Sequence, residues 1–497
     1  MKPGTSRFLL LAVLGLCSLL PYLAARGLAD LRKNTIGFEV AFFGAFALYL
    51  VAAALVLRPN THYTIPNAQH AISRSIPVGR HMHLGLIVLF AVLFRLVLLP
   101  TRPTLSDDMY RYVWDGRVQA HGFSPYRYPP NAKAVADLHR RDRTVWPYIN
   151  RKPVITVYPP GAQLAYAAIW RVVGDSLTGF KAAFVLAELL GAVLLMQLLR
   201  FFNLPPERIL IYLWSPLLVF EVAHAGHVDG LMLPLLVAAF WARVKERHWL
   251  LGLCLGAATL VKFFPALLLP ALLPVGQVSS LPPMGQVRNL SYRIRPAVIM
   301  LTGFGGILTL GYLPYLQWGG GVIGFLPNYF GENFNMGLAR ALFDLAVHYG
   351  FSGATLANVA TFGGLAVLGM IFILRPAADR RAALLRGVWL IGWFTLFTQN
   401  LFAWYLLWLL PLITLFVEPG KRLGFKLAPM SAWLIFSGTI AFSYVFFVKW
   451  RVVPWAQAAE YWPLYALLLL SLLTYARAAL TRLPLRAEAH ARAPSPQ

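Results

Sequence analysis

The stretch Ser106-Asp-Asp-Met-Tyr-Arg-Tyr-Val-Trp-Asp-Gly-Arg117 decides how this chain is organised, because it directly follows a long apolar run. Residues 84–99 are apolar except for Arg95, which is typical of a membrane-spanning helix. The chain therefore leaves the bilayer and at once presents Asp107 and Asp108 at the water interface. Carboxylates so close to lipid are costly unless something pairs or uses them. This acid pair is the first candidate for a functional site.

Composition places the chain in the class of polytopic membrane proteins. Hydrophobic residues make up 58% of it and charged residues 13%, and the mean hydropathy is +0.62. Apolar runs of spanning length recur from end to end. A further apolar stretch, 249–276, is broken at Lys262-Phe-Phe-Pro265 and is interpreted as two shorter helices. Together these runs predict an all-α bundle of about fourteen spans. The predicted spans lie near 8–25, 36–57, 84–100, 179–200, 208–223, 228–243, 297–316, 353–374, 385–399, 402–417, 427–447 and 461–479.

The formal charge of +25, from 44 basic and 19 acidic residues, indicates membrane orientation rather than nucleic-acid binding. Basic residues gather in short loops such as Arg243-Val-Lys-Glu-Arg247, which is the pattern of cytoplasmic loops. Both termini are then cytoplasmic. The outer loops are 26–35, 101–178, 224–227, 317–352 and 448–460.

This topology divides the chain into four parts. Residues 1–83 hold two spans and a cytoplasmic linker, and the first run, which resembles a signal peptide, is interpreted as an uncleaved helix. A core follows at 84–417, then C-terminal spans at 418–482 and a disordered cytoplasmic tail at 483–497. Within the outer loop 101–178, the segment Gly161–Gly174 is predicted to be an interfacial helix, because counting it as a span would put the basic loops outside.

Helical geometry separates the two acids. Ser106 is a plausible N-cap for a helix that starts at Asp107, and adjacent helical residues diverge by about 100°. Asp107 would then lie one turn from Arg111 and pair with it, while Asp108 would share a face with Tyr112 and Asp115. Two interpretations stay open for each acid: helix capping with surface pairing, or catalysis.

Further candidates fall in two other predicted outer turns. The turn His224-Ala-Gly-His-Val-Asp229 has two histidines three residues apart but no conveniently spaced third ligand, so a metal site is a weaker interpretation than polar helix caps. Asp229 is the sharper candidate, since its turn faces the same side as Asp108. Lys262 interrupts an apolar run, where it either snorkels to the interface or holds a phosphate.

The remaining polar features have strong structural interpretations. Gln399-Asn-Leu-Phe-Ala-Trp-Tyr405 combines amides with aromatic rings, which suits sugar hydroxyls but is also typical of an interface belt. Glu188 lies in the middle of a span and is predicted to face the bundle interior. Cys17 and Cys254 lie in apolar runs and are interpreted as packing residues.

Taken in order, these motifs resemble the GT-C superfamily of membrane glycosyltransferases that use polyprenyl-phosphate sugars. The resemblance covers roughly 84–417, and it is closest to bacterial mannosyltransferase-like members and the GPI-anchor mannosyltransferases. Its carrying residues are Ser106–Gly116, Gly122-Phe-Ser-Pro-Tyr126, Tyr158-Pro-Pro160, Gly226-His-Val-Asp229 and Val261-Lys-Phe-Phe-Pro265. The chain departs from the family in having Asp-Asp rather than Asp-x-Asp.

The resemblance implies roles for single residues. Asp108 would be the catalytic acid, with Asp107 as a second catalytic candidate, Asp229 the second outer-loop acid and Lys262 the contact to the donor phosphate. The other residues expected at the donor phosphate or sugar are Arg111, Tyr112, His227, Asn400 and Tyr405. No cofactor or metal is implied, because the donor lipid carries the activation.

The sequence thus predicts an enzyme of the bacterial inner membrane that works on its periplasmic side. It would transfer a sugar, expected to be mannose, from a polyprenyl-phosphate donor to a hydroxyl of a lipid, glycan or protein acceptor, with inversion. The alternative is a flippase or transporter of lipid-linked sugars. A transporter places its decisive polar residues near the bilayer midplane, often in repeated halves, whereas here they crowd on one side without a repeat.

Overall fold

The computed structural model describes residues 3–58, 78–274, 290–329, 332–420, 424–449 and 451–491. The basic residues Arg288, Lys421 and Arg422 and most of the linker at 58–83 lie outside these ranges. The described chain is almost wholly helical, which confirms the all-α prediction. Its helices are α1 (Pro3–Gly27), α2 (Thr35–Leu57), α3 (Val78–Leu98), α4 (Asp108–Ala120), α5 (Pro160–Val173), α6 (Leu177–Phe201), α7 (Leu210–Leu213), α8 (Pro216–Leu218), α9 (Asp229–Val244), α10 (His248–Val261), α11 (Leu269–Leu272), α12 (Leu290–Tyr312), α13 (Leu326–Tyr329), α14 (Ala339–His348), α15 (Gly353–Asn358), α16 (Gly364–Leu374), α17 (Arg380–Phe397), α18 (Leu410–Phe416), α19 (Pro429–Thr439), α20 (Tyr444–Lys449) and α21 (Pro454–Ala491).

Shorter elements join these helices. One antiparallel hairpin, β1 (Pro419–Gly420) with β2 (Gly424–Phe425), follows α18. The 3₁₀ turns are Lys133–Leu138, Trp146–Tyr148, Pro206–Ile209, Phe264–Leu268, Leu313–Ile323, Ala403–Leu409 and Ile440–Ser443, and π turns occur at Val219–His224 and Val359–Gly363.

Seven helical segments among the described residues are long and apolar enough to cross a membrane, so the count of fourteen is not confirmed. They are Ser6–Gly27, Thr35–Leu57, His81–Leu98, Leu177–Phe201, Ile294–Gly319, Gly353–Leu374 and Pro429–Phe446. The predicted span at 208–223 is instead a chain of short helices that restarts at Pro216. Proline has no N–H to donate and clashes with the preceding turn, which breaks such runs. These pieces are buried against other helices, where irregular backbone is tolerated in a membrane bundle.

Two other predictions can be compared with the helix bounds. The break in 249–276 lies where the sequence placed it, since α10 ends at Val261 and a 3₁₀ turn begins at Phe264. By contrast, α21 continues to Ala491, although disorder was predicted from residue 483. Alanine and glutamate at 487–489 are strong helix formers and extend it, while 492–497 lie outside the described residues.

A buried ion pair ties the third helix to the centre of the bundle. Arg95 on α3 donates from Nε and Nη2 to both oxygens of Glu188 on α6, at 2.8 and 2.7 Å. A further Arg95 nitrogen donates to the Leu213 carbonyl at 2.9 Å. Neither side chain is more than 2% exposed. Glu188 therefore faces the interior as predicted, and Arg95 is its partner.

The segment 101–178 folds into a compact cap built on α4 and α5. At the end of α4, Arg117 donates to Asp142 at 2.6 Å. The Asp142 carboxylate also accepts the backbone N–H groups of Thr144, Val145 and Trp146 at 2.8–3.1 Å. Burial alone would raise the pKa of the Asp142 carboxyl, but these donors and the guanidinium hold it at about 2.

The Arg95–Glu188 pair makes a prediction for stability. Glu188→Ala leaves a guanidinium buried without its counter-ion, so we expect it to cost about 3–5 kcal/mol, read as a lower thermal midpoint in detergent. Glu418→Ala is the matched control, because the Lys426–Glu418 pair is exposed and is worth only about 0–1 kcal/mol. Equal midpoints for the two variants would show that the buried pair does not stabilise the bundle.

The Asp142 carboxylate makes a prediction for pH. The pKa of Asp142 is about 2 in the folded protein, below its value in the unfolded chain. The ionised carboxylate therefore stabilises the folded state above about pH 4, and this stabilisation is lost as the pH falls towards 2. We expect local opening of 140–149, measured by amide hydrogen exchange corrected for intrinsic rates, to increase roughly tenfold from pH 5 to pH 3. Asp142→Asn should remove this dependence, whereas Asp137→Asn, in an exposed pair, should keep it. A wild-type profile in Asp142→Asn would contradict the assignment.

Candidate active site

A cavity of about 570 Å³ lies where α4, the segment after residue 149, the broken hairpin at Lys262 and the 402–408 turn meet. Six of the nine predicted site residues line it: Asp107, Asp108, Arg111, Tyr112, Lys262 and Tyr405. Most of its other walls are apolar or aromatic, including Phe264, Phe334, Phe402, Trp404 and Trp408. A few convergent polar groups in an apolar cavity are typical of a ligand-binding site.

Asp108 is the first residue of α4 and is partly open to the cavity. Its backbone N–H donates to Ser106 Oγ at 3.2 Å, so Ser106 caps this first N–H of the helix. The helix begins at Asp108, one residue later than the sequence predicts. Asn150 donates to Asp108 Oδ1 at 3.3 Å, and the Tyr158 hydroxyl donates to Oδ2 at 3.2 Å. Burial and the charge of Asp108 raise the pKa of Tyr158 well above its usual range, so Tyr158 keeps its proton. Each carboxylate oxygen thus has one donor and can still accept a proton from a ligand.

Asp107 has a different partner from the predicted one. It pairs with Arg32 through two nitrogen–oxygen contacts of 3.3 Å, and not with Arg111. The reason is that the Arg111 guanidinium donates to Asp115 and to the Val154 carbonyl instead. Arg32 comes from the turn between α1 and α2, which no local sequence signal connects with this site.

Arg111 is held from behind by a buried network. Its Nε donates to Asp115 at 2.8 Å and its Nη1 to the Val154 carbonyl at 3.0 Å. Asp115 also accepts from Gln163 on α5 at 3.0 Å and is fully buried. Arg111 thus pairs with Asp115, and Asp115 holds α4 against α5 instead of facing the cavity with Asp108. Arg111 Nη2 is buried at the cavity wall and has no hydrogen-bond partner.

Lys262 lines the cavity, and a buried carboxylate behind it balances its charge. Its Nζ donates to both oxygens of Asp229 at 2.8 and 3.0 Å, and Trp408 Nε1 donates to the same carboxylate at 2.6 Å. Asp229 is fully buried, whereas the Lys262 side chain is 16% exposed. The ammonium also lies 5.0 Å from the centre of the Tyr405 ring. Since an ammonium has three donors, one N–H of Lys262 remains for a ligand.

A rigid platform at 101–104 supports the acid pair. The ring of His224 contacts Thr101 Oγ1 at 2.8 Å and Thr104 Oγ1 at 3.2 Å. Lys181, which is fully buried, donates to the Thr101 and His224 carbonyls. These contacts give His224 a structural role. Among the residues that the structure describes, no group of three or more His, Cys, Asp and Glu side chains is arranged to hold a metal ion.

Three predicted site residues lie one contact behind the cavity wall. Asp229 supports Lys262. His227 stacks on Trp404 with ring centres 3.9 Å apart, and its Nδ1 comes within 2.9 Å of Glu221 without meeting hydrogen-bond geometry. Asn400 Oδ1 accepts the backbone N–H of Phe334 at 2.8 Å, which fixes the 332–335 segment over the cavity.

Sequence reasoning missed several residues at this site. The sequence does not indicate Tyr158 or Asn150 as contacts of Asp108, although Tyr158-Pro-Pro160 is one of the motifs that carry the family resemblance. Arg151 and Glu332, which form an ion pair across the cavity, come from two separate loops. Only the folded chain brings such residues together, because their separation in sequence carries no signal of contact.

Comparisons with known proteins identify the family of this chain. A family model described as alpha-(1->6)-mannopyranosyltransferase, N-terminal domain, matches residues 13–276, which is more than half of the chain. A second model, glycosyltransferase family 87, matches residues 156–399. No curated protein and no solved structure matches the chain. The GT-C resemblance is thereby confirmed, and the chain belongs to the alpha-(1->6)-mannopyranosyltransferase family of GT-C-type membrane glycosyltransferases.

Proposed function

We propose that the protein transfers mannose from a polyprenyl-phosphate donor to a hydroxyl of an acceptor at the extracytoplasmic face of the membrane, and that Asp108 is the general base. One observation carries the proposal: Asp108, which can accept a proton, and Lys262, which can bind a phosphate, line the same cavity. The membership of a mannosyltransferase family supplies the reaction class. The apolar and aromatic walls suit a donor that is itself a lipid.

The arrangement supports a single displacement. Asp108 takes the proton of the acceptor hydroxyl as its oxygen attacks the anomeric carbon, and the bond from that carbon to the phosphate oxygen breaks. The polyprenyl phosphate leaves as an anion, towards the third N–H of Lys262. A single displacement inverts the anomeric configuration. The donor lipid supplies the activation, so the reaction needs no diffusible cofactor.

Tyr158 and Asn150 orient the base. Their donors occupy one lone pair on each oxygen of Asp108, which fixes the carboxylate plane against the cavity. Such fixed geometry matters because general-base catalysis requires hydrogen-bond reach to the reacting proton. Tyr158 is further held by Tyr112, with the two hydroxyl oxygens 3.3 Å apart.

The first test of this function is sugar transfer by purified protein in lipid nanodiscs. The substrates are a synthetic polyprenyl-phosphate-mannose and the octyl glycoside of an α-1,6-linked mannose disaccharide, called the octyl mannoside below. We expect Asp108→Asn to lower kcat by about 10²–10⁴-fold and Tyr158→Phe by about tenfold, since it removes one hydrogen bond to a charged group. Asp137→Asn, far from the cavity walls, should match wild type.

Two results would contradict this function. Normal transfer by Asp108→Asn would remove the general-base role. Movement of intact donor lipid between leaflets by wild type, without any sugar transfer, would identify a transporter instead. The anomeric configuration of the product, read by nuclear magnetic resonance, checks for inversion.

The second test separates Lys262 from its buried partner. Lys262→Gln should raise the KM of the donor about 10–100-fold, and Lys262→Arg, which keeps the charge beside Asp229, should raise it less. Asp229→Asn removes a negative charge that competes with the donor phosphate for Lys262, so the donor KM should not rise. It also weakens the hydrogen bonds that hold the Lys262 ammonium in position, so kcat should fall. Lys426→Gln, in an exposed pair, is the control. A donor KM that is unchanged in Lys262→Gln would exclude the phosphate contact.

A further inference from the structure

The Arg32–Asp107 pair differs from the ion pairs that hold the bundle together. Both of its nitrogen–oxygen distances are 3.3 Å, and its side chains are 30% and 33% exposed. The Arg95–Glu188 pair is shorter, at 2.7–2.8 Å, and is buried. Strong charge-assisted hydrogen bonds measure about 2.7–2.9 Å, so the Arg32–Asp107 contact is loose. A ligand can therefore share or replace it at small cost.

Arg32 is nevertheless fixed in place. The backbone N–H of its neighbour Leu31, a residue that is 1% exposed, donates to Thr104 Oγ1 at 3.0 Å. Thr104 belongs to the platform that His224 holds. The carbonyl of Arg32 accepts from Thr35 Oγ1 at 2.8 Å, at the start of α2. The turn thus presents Arg32 to the cavity from a rigid base, which is the arrangement that a binding site requires.

We propose that Arg32 and Asp107 form the acceptor subsite of the cavity, binding sugar hydroxyls next to the one that reacts. This inference rests on the proposed transfer reaction. It assigns the N-terminal helical hairpin, α1 with α2, a direct part in substrate recognition. The ligand class is a neutral glycan end, because the pair has no net charge and offers both donors and acceptors.

The direction of the displacement decides which substrate the pair binds. In a single displacement the attacking hydroxyl and the leaving phosphate lie on opposite sides of the anomeric carbon. Lys262 marks the phosphate side, and Asp108 must touch the attacking hydroxyl. Asp107 lines the same cavity as Asp108, and their Cα atoms are about 3.8 Å apart, so groups beside that hydroxyl lie within reach of Asp107. The pair therefore belongs to the acceptor side.

The pair has the capacity for such contacts. A guanidinium carries five N–H donors and a carboxylate about four acceptor sites. The Arg32–Asp107 pairing uses two of each. The remaining donors and acceptors can serve vicinal hydroxyls, since both residues line the cavity.

The test compares Arg32→Gln with wild type and with Arg340→Gln, whose ion pair is exposed and lies outside the cavity walls. The concentration of the octyl mannoside is varied at saturating donor, and the concentration of the donor is varied at saturating octyl mannoside. We expect Arg32→Gln to raise the mannoside KM about tenfold or more, while kcat and the donor KM stay within about twofold. Arg32→Lys should raise the mannoside KM less, and Arg340→Gln should match wild type.

Binding of the mannoside alone, measured by isothermal titration calorimetry, keeps the subsite and the transfer reaction separable. If wild type transfers no sugar but binds the mannoside about tenfold more tightly than Arg32→Gln, the proposed function fails and the subsite stands. If transfer depends on Asp108 and the mannoside KM is the same in Arg32→Gln, the subsite is wrong and the function stands. An increase in the donor KM alone, with an unchanged mannoside KM, would also overturn the acceptor subsite. Should Arg32→Gln not fold, the mannoside KM and the mannoside affinity of Asp107→Asn are interpreted in the same way.

Discussion

Charges inside this bundle must be balanced by the protein itself, and that requirement shapes both the fold and the cavity. Arg95 donates to both carboxylate oxygens of Glu188, and Lys262 forms an ion pair with Asp229. The first pair joins two helices that are far apart in sequence, α3 and α6, and the second joins the consecutive helices α9 and α10. In both cases the protein supplies the counter-ion because lipid offers none. Removing one partner leaves an uncompensated charge, so the pairs fix how α3 packs on α6 and how α9 packs on the end of α10.

The same requirement separates the residues that stabilise from those that meet ligands. Asp229 and Asp115 are fully buried and pair with Lys262 and Arg111, so each fixes the position of a cation at the cavity. Asp108 is the acid with partial access to the cavity and only neutral donors on its oxygens. Access to the cavity together with free lone pairs is the arrangement that the proposed general-base role requires.

The platform at 101–104 links these features to the N-terminal hairpin. Lys181 and His224 satisfy the polar atoms of this segment from inside the bundle, and Thr104 passes the restraint on to Leu31. The two spans that precede the core are therefore attached to the cavity through hydrogen bonds as well as through apolar packing. That attachment explains how a residue as early as Arg32 reaches the acid pair.

The sequence by itself determined the membrane class, the break at Lys262 and the special position of Asp108, because hydropathy, proline and helix spacing act over a few neighbouring residues. Six of the nine site residues that it predicts line one cavity. It could not assign Arg32 to Asp107, Tyr158 to Asp108 or Trp408 to Asp229, and it did not predict the breaks that divide 208–223 into short helices. Those outcomes depend on which distant side chains meet when buried polar groups find their partners, and only the tertiary structure decides that.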